Sequence, residues 1–114
     1  MGYRLDAYLA NDESKWVGFG KFYGYVGVCY RDLKKLASYR YLLEIGKIDK
    51  SWVFADGLDT PQIVLNAEEF RKFATLYLED WKKEYQVDLL FSYQMRKCID
   101  DMMKDPNDKI LVWG

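Results

Sequence analysis

From Ala67 to about Tyr85, apolar residues recur at steps of three and four: Phe70, Phe73, Ala74, Tyr77 and Trp81. That spacing lines them up as one stripe of an α-helix. Asn66 stands where an N-cap belongs, and Glu69, three residues on, completes a capping box. Leu65 and Phe70 are placed for a hydrophobic staple across the cap. Glu68 with Lys72, and Glu79 with Lys83, are favourable i,i+4 pairs for the solvent side. A long helix with one apolar stripe is stable only against a second layer, so the rest of the chain must supply one.

Strand patterns supply it. Tyr3, Leu5, Ala7 and Leu9 alternate with Arg4, Asp6 and Tyr8, as in a half-buried strand. Asn11 to Ser14 reads as a turn, and Lys15 to about Val28 as one long bent strand or two short ones, giving an N-terminal hairpin or meander. The segment DLKKLASYRYLLEIG predicts a helix capped by Asp32 and stopped by Gly46, with Leu33, Leu36, Ala37, Tyr39 and Leu43 inward. Ser51–Ala55 and Gln62–Leu65 read as short strands joined through Asp56-Gly57 and Asp59-Thr60-Pro61.

A third helix is expected from about Asp88 to Lys104, with Phe91, Met95, Cys98, Ile99 and Met102 on one face. Its first part, VDLLF, also suits an extended chain. Asp105-Pro106-Asn107-Asp108 ends it, and Lys109–Trp113 forms a last strand. Helices that cluster in pairs, rather than alternating with strands, predict an α+β fold. The expectation is a single domain over residues 1–114, a mainly antiparallel sheet of about four to six short strands with two to three helices on one face.

The stretch WVGFGKFYGYVGVCY, Trp16 to Tyr30, stands out. With a period of two, Gly18, Gly20 and Gly24 share a face with Phe22, Val26 and Val28, and Phe19, Lys21, Tyr23 and Tyr25 share the other. The glycines would leave backbone open to close approach, and the rings with one cation form a candidate contact surface. KFYGYVGV partly matches the RNA-recognition-motif strand, with Phe22 in place of Gly and Val28 in place of an aromatic. Rings on a sheet stack bases in many folds; the competing structural reading puts them beneath a helix.

Composition narrows the chemistry. There is no histidine, which excludes Ser-His-Asp and Cys-His nucleophilic catalysis and most zinc sites. The two cysteines, Cys29 and Cys98, are too few for a thiolate cage, and both read as reduced and buried. The adjacent acidic pairs Glu68-Glu69, Glu79-Asp80 and Asp100-Asp101 diverge on a helix and read as solvated surface. Gly18-Phe19-Gly20 opens like a dinucleotide fingerprint, but Tyr23 occupies the third glycine position. Met95, Met102 and Met103 suit either an adaptable binding face or gap filling. With 17 basic and 18 acidic residues, the chain has no global attraction for phosphate backbones or anionic membranes. No run reaches the ~18–20 apolar residues of a membrane span, so a cytoplasmic location is expected, with no metal and no cofactor.

YRLDAYL, FYGYV, YLLEIG and IVLNAEEFRKFATLYLEDW together resemble the layout of small bacteriophage accessory proteins that act on the host. The likeness covers most of the chain and carries no catalytic motif. It implies an inhibitor or modulator of host machinery, antiviral defence included. The residues themselves point to a non-enzymatic interaction module, because there is no catalytic set and the four Trp, ten Tyr and six Phe exceed what a small core readily hides. Its expected partner is a host protein or a second copy in a homodimer. The alternative is a single-stranded nucleic acid or nucleotide, with Phe19, Tyr23 and Tyr25 stacking bases and Lys21 meeting phosphate.

Overall fold

In the computed structural model, Tyr3–Leu9 forms strand β1 and Asp12–Phe22 forms β2, joined as a hairpin through Ala10 and Asn11. The structure describes residues 3–22, 36–48, 62–85 and 93–113. The further elements are helix α1 (Ala37–Glu44), strand β3 (Gln62–Leu65), helix α2 (Ala67–Tyr85), helix α3 (Tyr93–Lys104) and strand β4 (Lys109–Trp113). Among the described residues, the strands form a four-stranded sheet in the order β2-β1-β4-β3. Each neighbouring pair is antiparallel. The protein is thus a small α+β domain, as the element order predicts. The expected strand Ser51–Ala55, the cap Asp32 and the segment VDLLF lie outside the described residues.

The core forms where the periodicities meet. Leu5, Ala7 and Leu9 of β1, Ile63 and Leu65 of β3, and Leu111 of β4 are buried. They join Phe70, Phe73, Ala74 and Tyr77 of α2 with Ile99 and Met102 of α3 in one cluster. The rings of Phe73 and Tyr77 stack at 5.9 Å. The start of α2 follows its sequence signature: Glu69 N–H donates to Asn66 Oδ1 at 2.8 Å, and Asn66 N–H donates to Glu69 Oε1 at 3.0 Å. Leu65 and Phe70, the staple pair, are both fully buried. Met102 is buried and Met103 packs against the core, so these methionines fill gaps.

Helix α1 departs from expectation at its inward face. Leu36 and Tyr39 are buried as expected, but Ala37 and Leu43 are half-buried, and Ser38, Tyr41 and Leu42 take the inner positions. The reason is Asp80, which was expected on a solvated surface and is only 8 % exposed. Its carboxylate accepts from Ala37 N–H and Ser38 N–H, each at 3.0 Å, and from Ser38 Oγ at 2.6 Å. Leu36 at the N-cap makes no side-chain cap bond, so a residue of α2 caps α1 and draws Ser38 inward. Lys72 of α2 adds a contact, its Nζ 5.1 Å from the Tyr41 ring centre.

The end of α1 is as predicted. Gly46 has φ 75°. Its N–H donates to Leu43 C=O at 3.1 Å, and Lys47 N–H donates to Leu42 C=O at 3.0 Å, which closes a Schellman motif. A Cβ at Gly46 would meet nothing within 4 Å, so only backbone conformation resists substitution. Gly46→Ala should therefore cost about 1 kcal/mol in a denaturant titration.

One further position corrects the sequence reading, and another carries a buried cation. Cys98 is exposed rather than buried; Cys29 lies outside the described residues. Lys109, at the core parity of β4 beside Leu111, is fully buried. Its Nζ donates to the Asp105 carbonyl, sits 3.9 Å from Asp105 Oδ1 and lies 5.5 Å from the Phe70 ring centre. Burial pushes the Lys109 amine below its usual range, against the upward pull of the Asp105 carboxylate.

Candidate protein-binding face

The sheet has a second face, carried by the residues that alternate with the core positions. Cross-strand register places Trp16 of β2 opposite Tyr8 of β1, Tyr8 opposite Ile110 of β4, and Ile110 opposite Val64 of β3. A single row of apolar and aromatic residues therefore crosses every strand of the sheet. Tyr8 and Ile110 are half-buried, while Trp16 is 57 % and Val64 47 % exposed. The next row is Gly18, Asp6, Val112 and Gln62. Gln62 Nε2 donates to the Tyr8 hydroxyl at 2.9 Å, which ties β3 to β1 across β4. That bond, with the strand pairing, holds the Tyr8 ring in place.

The start of β2 shapes one end of the row. Leu9 pairs with Asp12 and Tyr8 with Trp16, so Glu13, Ser14 and Lys15 are extra residues on β2. Asp12 Oδ1 accepts from Ser14 N–H at 3.2 Å and from Ser14 Oγ at 2.6 Å, fixing the local bend. The Ser14 hydroxyl, followed by its N–H, holds the Asp12 carboxyl below the usual range. Glu13, exposed in this bend, borders a hollow of about 450 Å³ with Trp16, Tyr8, Asp6 and Val112. The Tyr8 phenol is pushed above its usual range, first by burial and then by the Glu13 carboxylate. Trp16 also borders a second hollow, of about 310 Å³, with Lys15, Cys98, Asp101 and Met102.

Of the sequence-predicted residues, Phe19 and Lys21 sit on the continuation of β2. Asp6 pairs with Gly18 and the adjacent Leu5 with Gly20, so Phe19 is the extra residue of a β-bulge. One extra residue inverts the parity of the strand beyond it. Gly18 therefore lies opposite a residue of the open face and Gly20 opposite a residue of the core. This corrects the expected alternation, in which both glycines shared one face. Lys21 pairs with Arg4. Tyr23 and Tyr25 lie outside the described residues.

The residues that sequence reasoning missed are Tyr8, Trp16, Val64 and Ile110. Each is apolar or aromatic at the solvent parity of a strand; alternation gave that parity for Tyr8 in β1, and only the register gives it for the other three. Among the described residues, no group of three His, Cys, Asp or Glu gathers to hold a metal, and no helix is long and apolar enough to cross a membrane. No protein-family model matches this chain, and comparisons with curated proteins and with solved structures return no similar protein.

Proposed function

We propose that this protein is a non-catalytic interaction module that binds another protein through the second face of its sheet. One observation carries the reading: the row Trp16–Tyr8–Ile110–Val64 leaves its two ends about half exposed on a rigid paired scaffold. Large apolar side chains held near water in a contiguous row mark a contact surface, and tryptophan and tyrosine are the residues most enriched at binding hot spots. The resemblance to small bacteriophage proteins supports a host protein as partner, met in the host cytoplasm and inhibited or modulated by the contact.

A photo-crosslinking amino acid tests this reading. Placed at Val64 it should capture one defined protein in host lysate. Placed at Thr75, exposed on α2, it should not. Equal capture from both positions, or none from Val64, would count against the face.

A second reading attaches to the far end of β2. Arg4 pairs with Lys21 there, which sets two basic residues side by side. In that reading a single-stranded nucleic acid or nucleotide is bound, with Phe19, Tyr23 and Tyr25 as stacking groups. Its affinity should fall steeply with added salt. Fluorescence titration with short single strands separates it from protein binding.

A further inference from the structure

We propose that the hollow beside Trp16 receives an arginine side chain presented by a different protein. The inference rests on the protein-binding reading and names what the partner must offer there. The hollow joins two rings, Trp16 and Tyr8, to the carboxylates of Glu13 and Asp6. An indole face is the best aromatic site for a cation. A guanidinium can lie flat on such a ring and still direct its planar fork of N–H donors at a carboxylate. An ammonium is a point charge and exploits the pair less well. Phosphate or carboxylate would meet like charge in the same place.

Glu13 is the carboxylate assigned to the guanidinium. It is exposed, and it stands near enough to the Tyr8 phenol to act on its charge. Asp6 already has an interaction of its own. Lys15, next along the chain but one, borders the other hollow. Trp16 lies on the outermost strand among the described residues, and its pairing with Tyr8 fixes where its side chain leaves the sheet before a partner arrives.

The arginine is assigned to a different protein, in keeping with the protein-binding reading; two of the five arginines of this chain are already engaged within it. Arg71 Nη1 already donates to the Met103 carbonyl at 3.5 Å, and Arg40 also has an interaction within the chain. A self-complex through either would have to give those contacts up.

The test uses the full chain and NMR. The indole N–H signal of Trp16 is identified as the one lost in Trp16→Phe. A blocked Ala-Arg-Ala peptide should shift that signal saturably, with Kd near ~1 mM as befits one side chain. Blocked Ala-Glu-Ala should leave it in place. Glu13→Gln should weaken the arginine peptide roughly two- to fivefold, the range of an exposed ion pair. A signal unmoved by the arginine peptide, moved equally by both peptides, or moved without regard to Glu13→Gln overturns the assignment. If sedimentation shows self-association that Glu13→Gln removes, the occupant is a second copy and the assignment to another protein falls. The crosslinking result is read separately. Capture at Val64 with no arginine response leaves the face as a protein surface and removes only the arginine.

Discussion

Asp80→Ala should lower the melting temperature by ~10 °C or more, corresponding to about 2–4 kcal/mol. The carboxylate is only 8 % exposed and accepts from Ala37 N–H, Ser38 N–H and Ser38 Oγ. An ordinary N-cap lost to alanine costs ~1 kcal/mol. Here the loss also strands donors beneath the α1–α2 contact, each carrying a desolvation penalty of about 1–3 kcal/mol if left unmet. Asp80→Asn keeps one acceptor oxygen and should recover part of the loss. Ser38→Ala removes one donor together with its need, so it should cost less than Asp80→Ala. The double variant should cost less than the two single changes added together, because both act on one network. Urea titration of the four proteins measures the coupling. A fully additive cycle would show that the helices are docked by other contacts.

Phe70→Ala should be comparably severe, at about 3–5 kcal/mol. Phe70 is fully buried one turn into α2, in the core cluster with its staple partner Leu65 and the inward residues of the sheet. Truncation opens a cavity and removes the ring over which the buried Lys109 amine sits 5.5 Å away. Phe70→Leu fills most of that space and should cost about 1–1.5 kcal/mol. The contrast matters more than either value. If Leu and Ala cost the same, loss of the ring's face to the cation outweighs the cavity.

Those residues also show what a sequence can and cannot disclose. The Asn66–Glu69 box was legible because its reciprocal bonds span three residues and depend only on local helix geometry. Gly46 was legible because a left-handed stop admits few other residues. Asp80 was not, because its partners lie 42 and 43 residues away and its neighbour Glu79 makes the pair look like solvated surface. Lys109 was hidden for a different reason. Ile110 and Val112 are as apolar as Leu111, so alternation in β4 did not reveal which parity faces the helices.

The candidate site was half legible. The alternation in β1 separates Leu5, Ala7 and Leu9 from Asp6 and Tyr8, and the structure keeps that division. In β2 the count failed at Phe19, because a bulge shifts parity and a period of two assumes none. The glycines on either side of Phe19 were the warning, since glycine within a strand often marks a bulge. Only the register shows that Trp16 continues a row from Val64 through Ile110 and Tyr8.

The most direct measurement is the affinity of Trp16→Ala/Val64→Ser for the protein captured at position 64, read by calorimetry beside its melting temperature. Both side chains are about half exposed or more, so the fold should lose little stability. Binding should weaken at least ~30-fold, the effect of removing one hot-spot residue of about 2 kcal/mol. A double variant that melts like the parent and binds its partner with undiminished affinity would contradict the account, because the row would then be a feature of the sheet with no part in recognition.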